Sequence, residues 1–152
     1  MDAIAAAYPN LPIFSIPVAA GIAYAPHFFR AFIVLKAVGR WNNVNPRGQV
    51  DRLQQKMPKE AWLMAKRAES AHSNGLETLA LYIGAVLAAL HTGVDKSIVN
   101  HYAGLFIGAR VLFNVLYILN TNDLLALGRT GAWSVSIYSC VRLLLAAAAT
   151  KY

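Results

Sequence analysis

Apolar residues fall in long runs along the chain, and short polar segments separate the runs. A bilayer core needs about 20 mostly apolar residues per helix, and four segments reach that length. They predict helices over residues 16–38, 58–91, 97–119 and 130–150, within one membrane domain spanning 1–152. No alternation typical of a β-strand interrupts them over a useful length. The pattern therefore predicts an all-α fold class, an integral membrane four-helix bundle that is multi-pass.

The composition agrees with a lipid bilayer as the solvent of this chain. Of 152 residues, 57% are hydrophobic and 14% are charged, whereas soluble domains carry about 25% charged residues. A single cysteine, Cys140, excludes a disulfide framework within the chain and leaves no Cys-x-x-Cys pattern, so we expect no metal site. No Lys or Arg precedes Arg30, and a cleaved signal peptide, which needs a basic segment, is not expected.

The basic residues give the orientation of the bundle. The net charge is +7, but half of the 14 Lys and Arg residues lie between Arg40 and Arg67, without a nucleic-acid-binding signature. We therefore expect no nucleic-acid partner and interpret these charges as a topology signal. Because cytosolic loops are rich in Lys and Arg, the first and third loops should face the cytosol and both termini the opposite side. The compartment would be an endoplasmic reticulum-type membrane in a eukaryote and the inner membrane in a bacterium.

Polar residues inside the predicted spans call for partners, since a charge at the centre of a bilayer helix costs about 2.5–3.5 kcal/mol on insertion scales. Four of them share an arc of about 80° on helix two at 100° per residue, namely Arg67, Ser70, Asn74 and Glu77. Three share a face of helix three at i, i+4 and i+7, namely Arg110, Asn114 and Tyr117. The two stripes are predicted to pack against each other, with Glu77 and Arg110 as a buried ion pair.

Three further residues within the spans are expected to serve the structure. Pro26 interrupts helix one, and it is tolerable if neighbouring helices satisfy the carbonyl that it frees. Arg30 and Arg142 are interpreted as structural residues that either pair with an acid or extend to the membrane surface.

Several short motifs resemble one family. The run from Arg67 to Glu77, Arg-Ala-Glu-Ser-Ala-His-Ser-Asn-Gly-Leu-Glu, is similar to the helix-two signature of the MAPEG superfamily, the membrane-associated proteins in eicosanoid and glutathione metabolism. Arg110 with Tyr117 resembles the helix-three signature, and Arg129-Thr130 resembles the start of helix four. Asn-Pro-Arg at 45–47 together with Asn-Gly-Leu-Glu at 74–77 resembles the bacterial and fungal branch. The resemblance covers essentially the whole chain.

The resemblance implies a homotrimer that binds glutathione as a cosubstrate between neighbouring subunits, near the cytosolic face. It assigns glutathione binding to five residues, Arg67, Asn74, Glu77, Arg110 and Tyr117. It assigns catalysis to Arg129, which would stabilise the thiolate, and to Thr130, which would donate its hydroxyl. The implied activity is that of a membrane-bound glutathione transferase or peroxidase, an enzyme acting on a lipophilic electrophile.

Two other functions remain open at this point. Ser70 stands where many catalytic members carry a second arginine, and a non-catalytic lipid-binding scaffold of the family also lacks that arginine. A repurposed isomerase or cyclase, acting on a hydrophobic biosynthetic intermediate, would use the same cavity. In helix one, Lys36 or Arg40 would take the place of the family's basic residue. A channel or transporter is disfavoured because neither inverted repeats nor a midplane ion site is visible.

Overall fold

The computed structural model describes residues 11–150 and contains four long helices. They are α1 Leu11–Val38, α2 Lys59–His91, α3 Lys96–Ile118 and α4 Asp123–Ala149. All four are long and apolar enough to cross a membrane. Two short helical turns, Gln49–Arg52 and Gln54–Lys56, lie in the segment between α1 and α2. The predicted all-α class, with four helices long and apolar enough to span a membrane, is therefore confirmed.

The helix bounds differ most from the prediction at the start of α4. The helix begins at Asp123 rather than at residue 130, because the side chain of Asn122 accepts a hydrogen bond from the Leu125 amide at 3.0 Å. Asn is among the preferred N-cap residues, and an acid in the first turn favours the helix dipole. Hydropathy alone misses such a start, since the first turns of α4 are partly polar.

The other three helices lie closer to their predicted positions. α1 begins by Leu11 rather than at residue 16, and it continues through Pro17 and Pro26. α2 begins at Lys59 rather than 58, and α3 runs over Lys96–Ile118 rather than 97–119. Shifts of one residue are within the ordinary variation of helix ends.

Small residues allow α1 and α2 to approach closely. A Cβ atom built on Gly75 would lie 3.0 Å from the Cα atom of Ala23. The buried positions of α2 are mostly alanines, and such small residues let the backbones of membrane helices pack tightly. Nearer the other end of the bundle, the rings of Tyr82 and Phe106 stack with centroids 3.9 Å apart, and Leu143 is fully buried beside them. The core is thus apolar at that end.

Pro26 is accommodated by side chains of two neighbouring helices. Pro26 has no N–H, so the carbonyl of Ile22 loses its helical partner. Asn114 of α3 donates from Nδ2 to this carbonyl at 2.9 Å. His72 of α2 donates from Nδ1 to the adjacent carbonyl of Ala23 at 2.8 Å. The expectation that neighbours would satisfy the carbonyl freed by Pro26 is confirmed.

An ion-pair network joins α1, α2 and the segment between them. Arg30, which is 7% exposed, pairs with Glu69 at 2.5 Å. Lys66 contacts both Glu69 at 3.0 Å and Asp51 at 2.9 Å. Arg30 is therefore a paired structural residue, one of the two roles expected for it.

Candidate functional site

A cleft of about 290 Å³ opens between α2, α3 and the first turns of α4. Its lining consists of six residues, Asn74, Phe113, Tyr117, Arg129, Thr130 and Trp133. Four of these are residues that the family resemblance assigned to glutathione binding or to catalysis, and they come from three different helices. The cleft is therefore the candidate site.

Arg129 lies over an aromatic ring on the wall of the cleft. Its guanidinium carbon is 4.6 Å from the centroid of the Tyr117 ring, which is the geometry of a cation–π contact. Among residues 11–150, no carboxylate forms an ion pair with Arg129. Because stacking uses the face of the guanidinium, its N–H groups at the edge remain available to an anion. Arg129 is thus a half-buried cation on the wall of the cleft.

Two hydroxyl groups line the cleft, and they differ in availability. The Thr130 hydroxyl donates to the carbonyl of Ala126 in its own helix at 3.1 Å. It would have to rotate before it could donate to a ligand. The Tyr117 hydroxyl makes no hydrogen bond within residues 11–150, so of the two it is the freer donor.

Arg110 lies behind the cleft and is 3% exposed. Its Nη1 donates to Asn74 Oδ1 at 3.0 Å, and its guanidinium carbon lies 4.2 Å from the centroid of the Phe113 ring. Its Nη2 is buried without a hydrogen-bond partner. Asn74 therefore joins a buried arginine to the surface of the cleft.

The predicted ion pair between Glu77 and Arg110 does not form. Glu77 is exposed and makes no ion pair within residues 11–150, while Arg110 contacts Asn74 instead. On a helical wheel Glu77 lies about 60° from Asn74. The predicted stripe lies at the border of the buried face of α2, and it therefore divides between an edge that contacts α3 and an outward edge. Ser70 lies on the outward edge with Glu77 and is also exposed.

Arg67 is near the cleft but serves another helix. Its Nε donates to the carbonyl of Ile118 at 2.9 Å, at the last residue of α3. A cation there satisfies a carbonyl that has no partner within the helix and interacts favourably with the helix dipole. The contact brings Arg67 to the same end of the bundle as Tyr117 and Arg129. Lys36 and Arg40, the alternatives for the helix-one basic contact, are exposed and do not line this cleft.

Phe113 and Trp133 also line the cleft. They occupy positions where some family members have a polar or tyrosine contact, and neither was predicted to bind glutathione. A positional signal existed for each. Phe113 is four residues before Tyr117, and Trp133 is four residues after Arg129, so each shares a helix face with a predicted site residue. Together they make one wall of the cleft aromatic, and a flat apolar group would pack well against it.

The chain matches a known protein family. The model of the MAPEG family matches residues 13–149, which includes every residue that lines the cleft. No curated protein and no solved structure matches the chain.

Proposed function

Because the chain belongs to the MAPEG family, we propose that it is a membrane-bound glutathione-dependent transferase or peroxidase acting on a lipophilic electrophile. Family membership points to a role in glutathione or eicosanoid metabolism. The observation that supports this activity is the position of Arg129. It is stacked on Tyr117, has no acidic partner within residues 11–150, and lines a cleft that Asn74 also lines.

Arg129 is strong enough to activate a thiol. The nucleophile is the thiolate of glutathione, and a shift of its pKa by two units corresponds to about 2.7 kcal/mol. A cation about 4 Å from the sulfur contributes about 4 kcal/mol at an effective dielectric constant of 20. The guanidinium alone therefore accounts for the required stabilisation, with the Tyr117 hydroxyl as a second donor to the sulfur.

In the transferase reaction, the thiol proton leaves to water and the thiolate attacks an electrophilic carbon. A carbon–sulfur bond forms, and the electron pair moves either to a leaving group or to a conjugated acceptor. In the peroxidase reaction the thiolate attacks a hydroperoxide oxygen, and a second glutathione then yields glutathione disulfide, an alcohol and water. Both reactions need the same anion stabilised at the same position.

The carboxylates of glutathione need cations, and its ammonium group needs an acid. We assign the Nη groups of Arg67 and the Nδ2 group of Asn74 to the carboxylates, with Arg110 positioning Asn74 from behind the cleft. We assign Glu77 to the ammonium group, and Tyr117 contacts the peptide next to the sulfur. Glu77 faces outward from its own chain, near the middle of α2. A carboxylate facing lipid at that depth is unfavourable. We therefore propose that a second copy covers this face, that the assembly is a homotrimer, and that glutathione binds between subunits.

The substitution Arg129→Ala tests the mechanism. Protein purified in detergent is titrated with millimolar glutathione at pH 7, and the ultraviolet absorbance of the thiolate is recorded. We expect wild-type protein to show thiolate and Arg129→Ala to raise the pKa of the bound thiol by about two units. If the pKa of the bound thiol lies above 7, the variant then carries about 100-fold less thiolate at pH 7. Arg47→Ala is the control, because it removes an exposed cation of the segment between α1 and α2 that lies outside the cleft.

Two outcomes would contradict the proposal in different ways. If wild-type protein binds no glutathione at millimolar concentration, then glutathione is not its substrate. If it binds glutathione but forms no thiolate, the protein is a lipid-binding scaffold without this chemistry. One observation favours that second function, since the Thr130 hydroxyl donates to Ala126 rather than into the cleft.

A further inference from the structure

A second cavity lies at the opposite end of α3 and α4 and has a volume of about 580 Å³. Its polar lining includes Arg142 and Tyr102, and its apolar lining includes Ile98, Leu145 and Ala149. Arg142 is thirteen residues beyond Arg129 in the same helix, which separates the two cavities by about 20 Å along the axis. The cavity is therefore separate from the glutathione cleft.

Arg142 has two aromatic neighbours. Its guanidinium carbon lies 5.7 Å from the Tyr102 ring centroid and 5.9 Å from the Tyr138 ring centroid, and Nη1 donates to the Tyr138 hydroxyl at 3.4 Å. Within residues 11–150 no carboxylate pairs with it. The nearby Asp95 caps α3 and accepts a hydrogen bond from the Ser97 amide at 2.8 Å. The positive charge of Arg142 is thus uncompensated by the described protein.

Arg142 lies within the last turns of α4, and its long side chain can extend towards the headgroups at that end of the span. Arg142 is about 10 Å from the end of α4, and Tyr102 is about 9 Å from the start of α3, at 1.5 Å per residue. Tyrosines at this level are typical of the membrane interface. A guanidinium that extends to this level can pair with a lipid phosphate.

The apolar part of the cavity fits a hydrocarbon chain. Ile98 is 44% exposed and Leu145 is 59% exposed, so both present aliphatic surface outward beside the guanidinium. A soluble anion would leave that surface uncovered. A phospholipid would place its phosphate on Arg142 and an acyl chain over these two side chains.

We propose that this cavity is a binding site for an anionic phospholipid of the bilayer. The guanidinium binds the phosphate by charge-assisted hydrogen bonds, for which arginine has the matching geometry. Because no carboxylate of residues 11–150 pairs with Arg142, a lipid with net negative charge is favoured over one whose own ammonium group neutralises the phosphate. The site is independent of glutathione and of the reaction proposed above.

Native mass spectrometry of the full chain in detergent tests the proposal. Phosphatidylglycerol or phosphatidylcholine is added, and bound lipid per chain is counted for wild-type protein and for Arg142→Gln. We expect wild-type protein to prefer phosphatidylglycerol and Arg142→Gln to bind it at least about tenfold more weakly, as expected for loss of charge-assisted hydrogen bonds. Arg47→Gln is the matched control, since it removes one exposed arginine remote from the cavity and should leave binding unchanged.

A charge-preserving variant and a competition experiment complete the test. Arg142→Lys preserves the charge, and we expect it to retain most of the preference even if Arg142→Gln folds poorly by circular dichroism. Inorganic phosphate at millimolar concentration should not displace the lipid, whereas displacement would identify a site for free phosphate instead. Equal binding of the two lipids by wild-type protein, or equal losses in Arg142→Gln and Arg47→Gln, would overturn the proposal.

Discussion

The hydrogen bond from Asn114 to the carbonyl of Ile22 should exist only because Pro26 is present. Replacing Pro26 by Ala restores an N–H four residues after Ile22, and that N–H can close the helical hydrogen bond itself. The amide of Asn114 would then have no carbonyl to satisfy. Pro26→Ala and Asn114→Leu are therefore predicted to be coupled.

The structure sets the size of the coupling. The bond measures 2.9 Å between Nδ2 and the carbonyl oxygen, and Asn114 is 8% exposed. Interhelical hydrogen bonds in membranes contribute about 0.6 kcal/mol on average and about 1.7 kcal/mol at most. The Oδ1 of Asn114 is buried without a partner, and Leu removes that unfavourable atom in both backgrounds. The coupling free energy, rather than the effect of Asn114→Leu alone, is therefore expected to be about 1 kcal/mol.

A double-mutant cycle measured by unfolding in mixed micelles, with increasing sodium dodecyl sulfate, gives this coupling free energy. Pro17→Ala provides the matched control, because Pro17 lies in the same helix as Pro26. The carbonyl of Ile22, to which Asn114 donates, is freed by Pro26 and not by Pro17. The coupling of Pro17→Ala to Asn114→Leu should be near zero.

Equal effects of Asn114→Leu in the wild-type and Pro26→Ala backgrounds would refute this reasoning. So would equal couplings for Pro26 and Pro17, since a general loosening of α1 would produce both. In either case packing, rather than the hydrogen bond, would determine the position of Asn114, and another group would satisfy the carbonyl of Ile22.

The remaining predictions concern the contacts between α1 and α2, and the same unfolding measurement checks both. Glu69→Gln should lower the free energy of unfolding by about 1–3 kcal/mol, because it leaves the buried guanidinium of Arg30 without its counter-charge. An unchanged free energy of unfolding would show that Arg30 is solvated. Gly75→Ala should destabilise by about 1–3 kcal/mol through overpacking against Ala23. Gly21→Ala is the control and should be neutral or stabilising, because its added Cβ meets no atom within 4 Å. Equal effects of the two glycine substitutions would contradict the close approach of α1 and α2 at Gly75.

Hydropathy predicted the four spans because a helix that crosses a bilayer needs about 20 mostly apolar residues, and such runs are visible in the sequence. It did not predict the start of α4, where Asn122 caps a partly polar first turn. Capping depends on one side chain and one amide, and it leaves little trace in a window of 20 residues.

The contacts of helix three were predicted less well than its polar face. Arg110, Asn114 and Tyr117 do share the expected spacing, but each meets a different neighbour. Arg110 contacts Asn74 of α2, Asn114 contacts α1, and Tyr117 contacts Arg129 of α4. A face of one helix in a four-helix bundle can meet all three neighbours, and spacing alone does not say which residue meets which.

The Arg30–Glu69 pair was missed for a related reason. Glu69 lies in the polar first half of α2, where the sequence gives no sign that a carboxylate has a partner within the bundle. The close packing of α1 on α2 at Gly75 brings Arg30 to it, and that approach is a tertiary property.

A ligand can use only those polar groups that the fold has not already satisfied. Asn114, His72 and Glu69 are each committed to α1, so they hold helices together and have little left for a substrate. At the cleft, the edge of Arg129 and the Tyr117 hydroxyl are uncommitted within residues 11–150. This difference distinguishes polar residues that join helices from polar residues that remain available to a ligand. It is the reason why we propose the chemistry at the start of α4 rather than along the polar stripes of α2 and α3 as a whole.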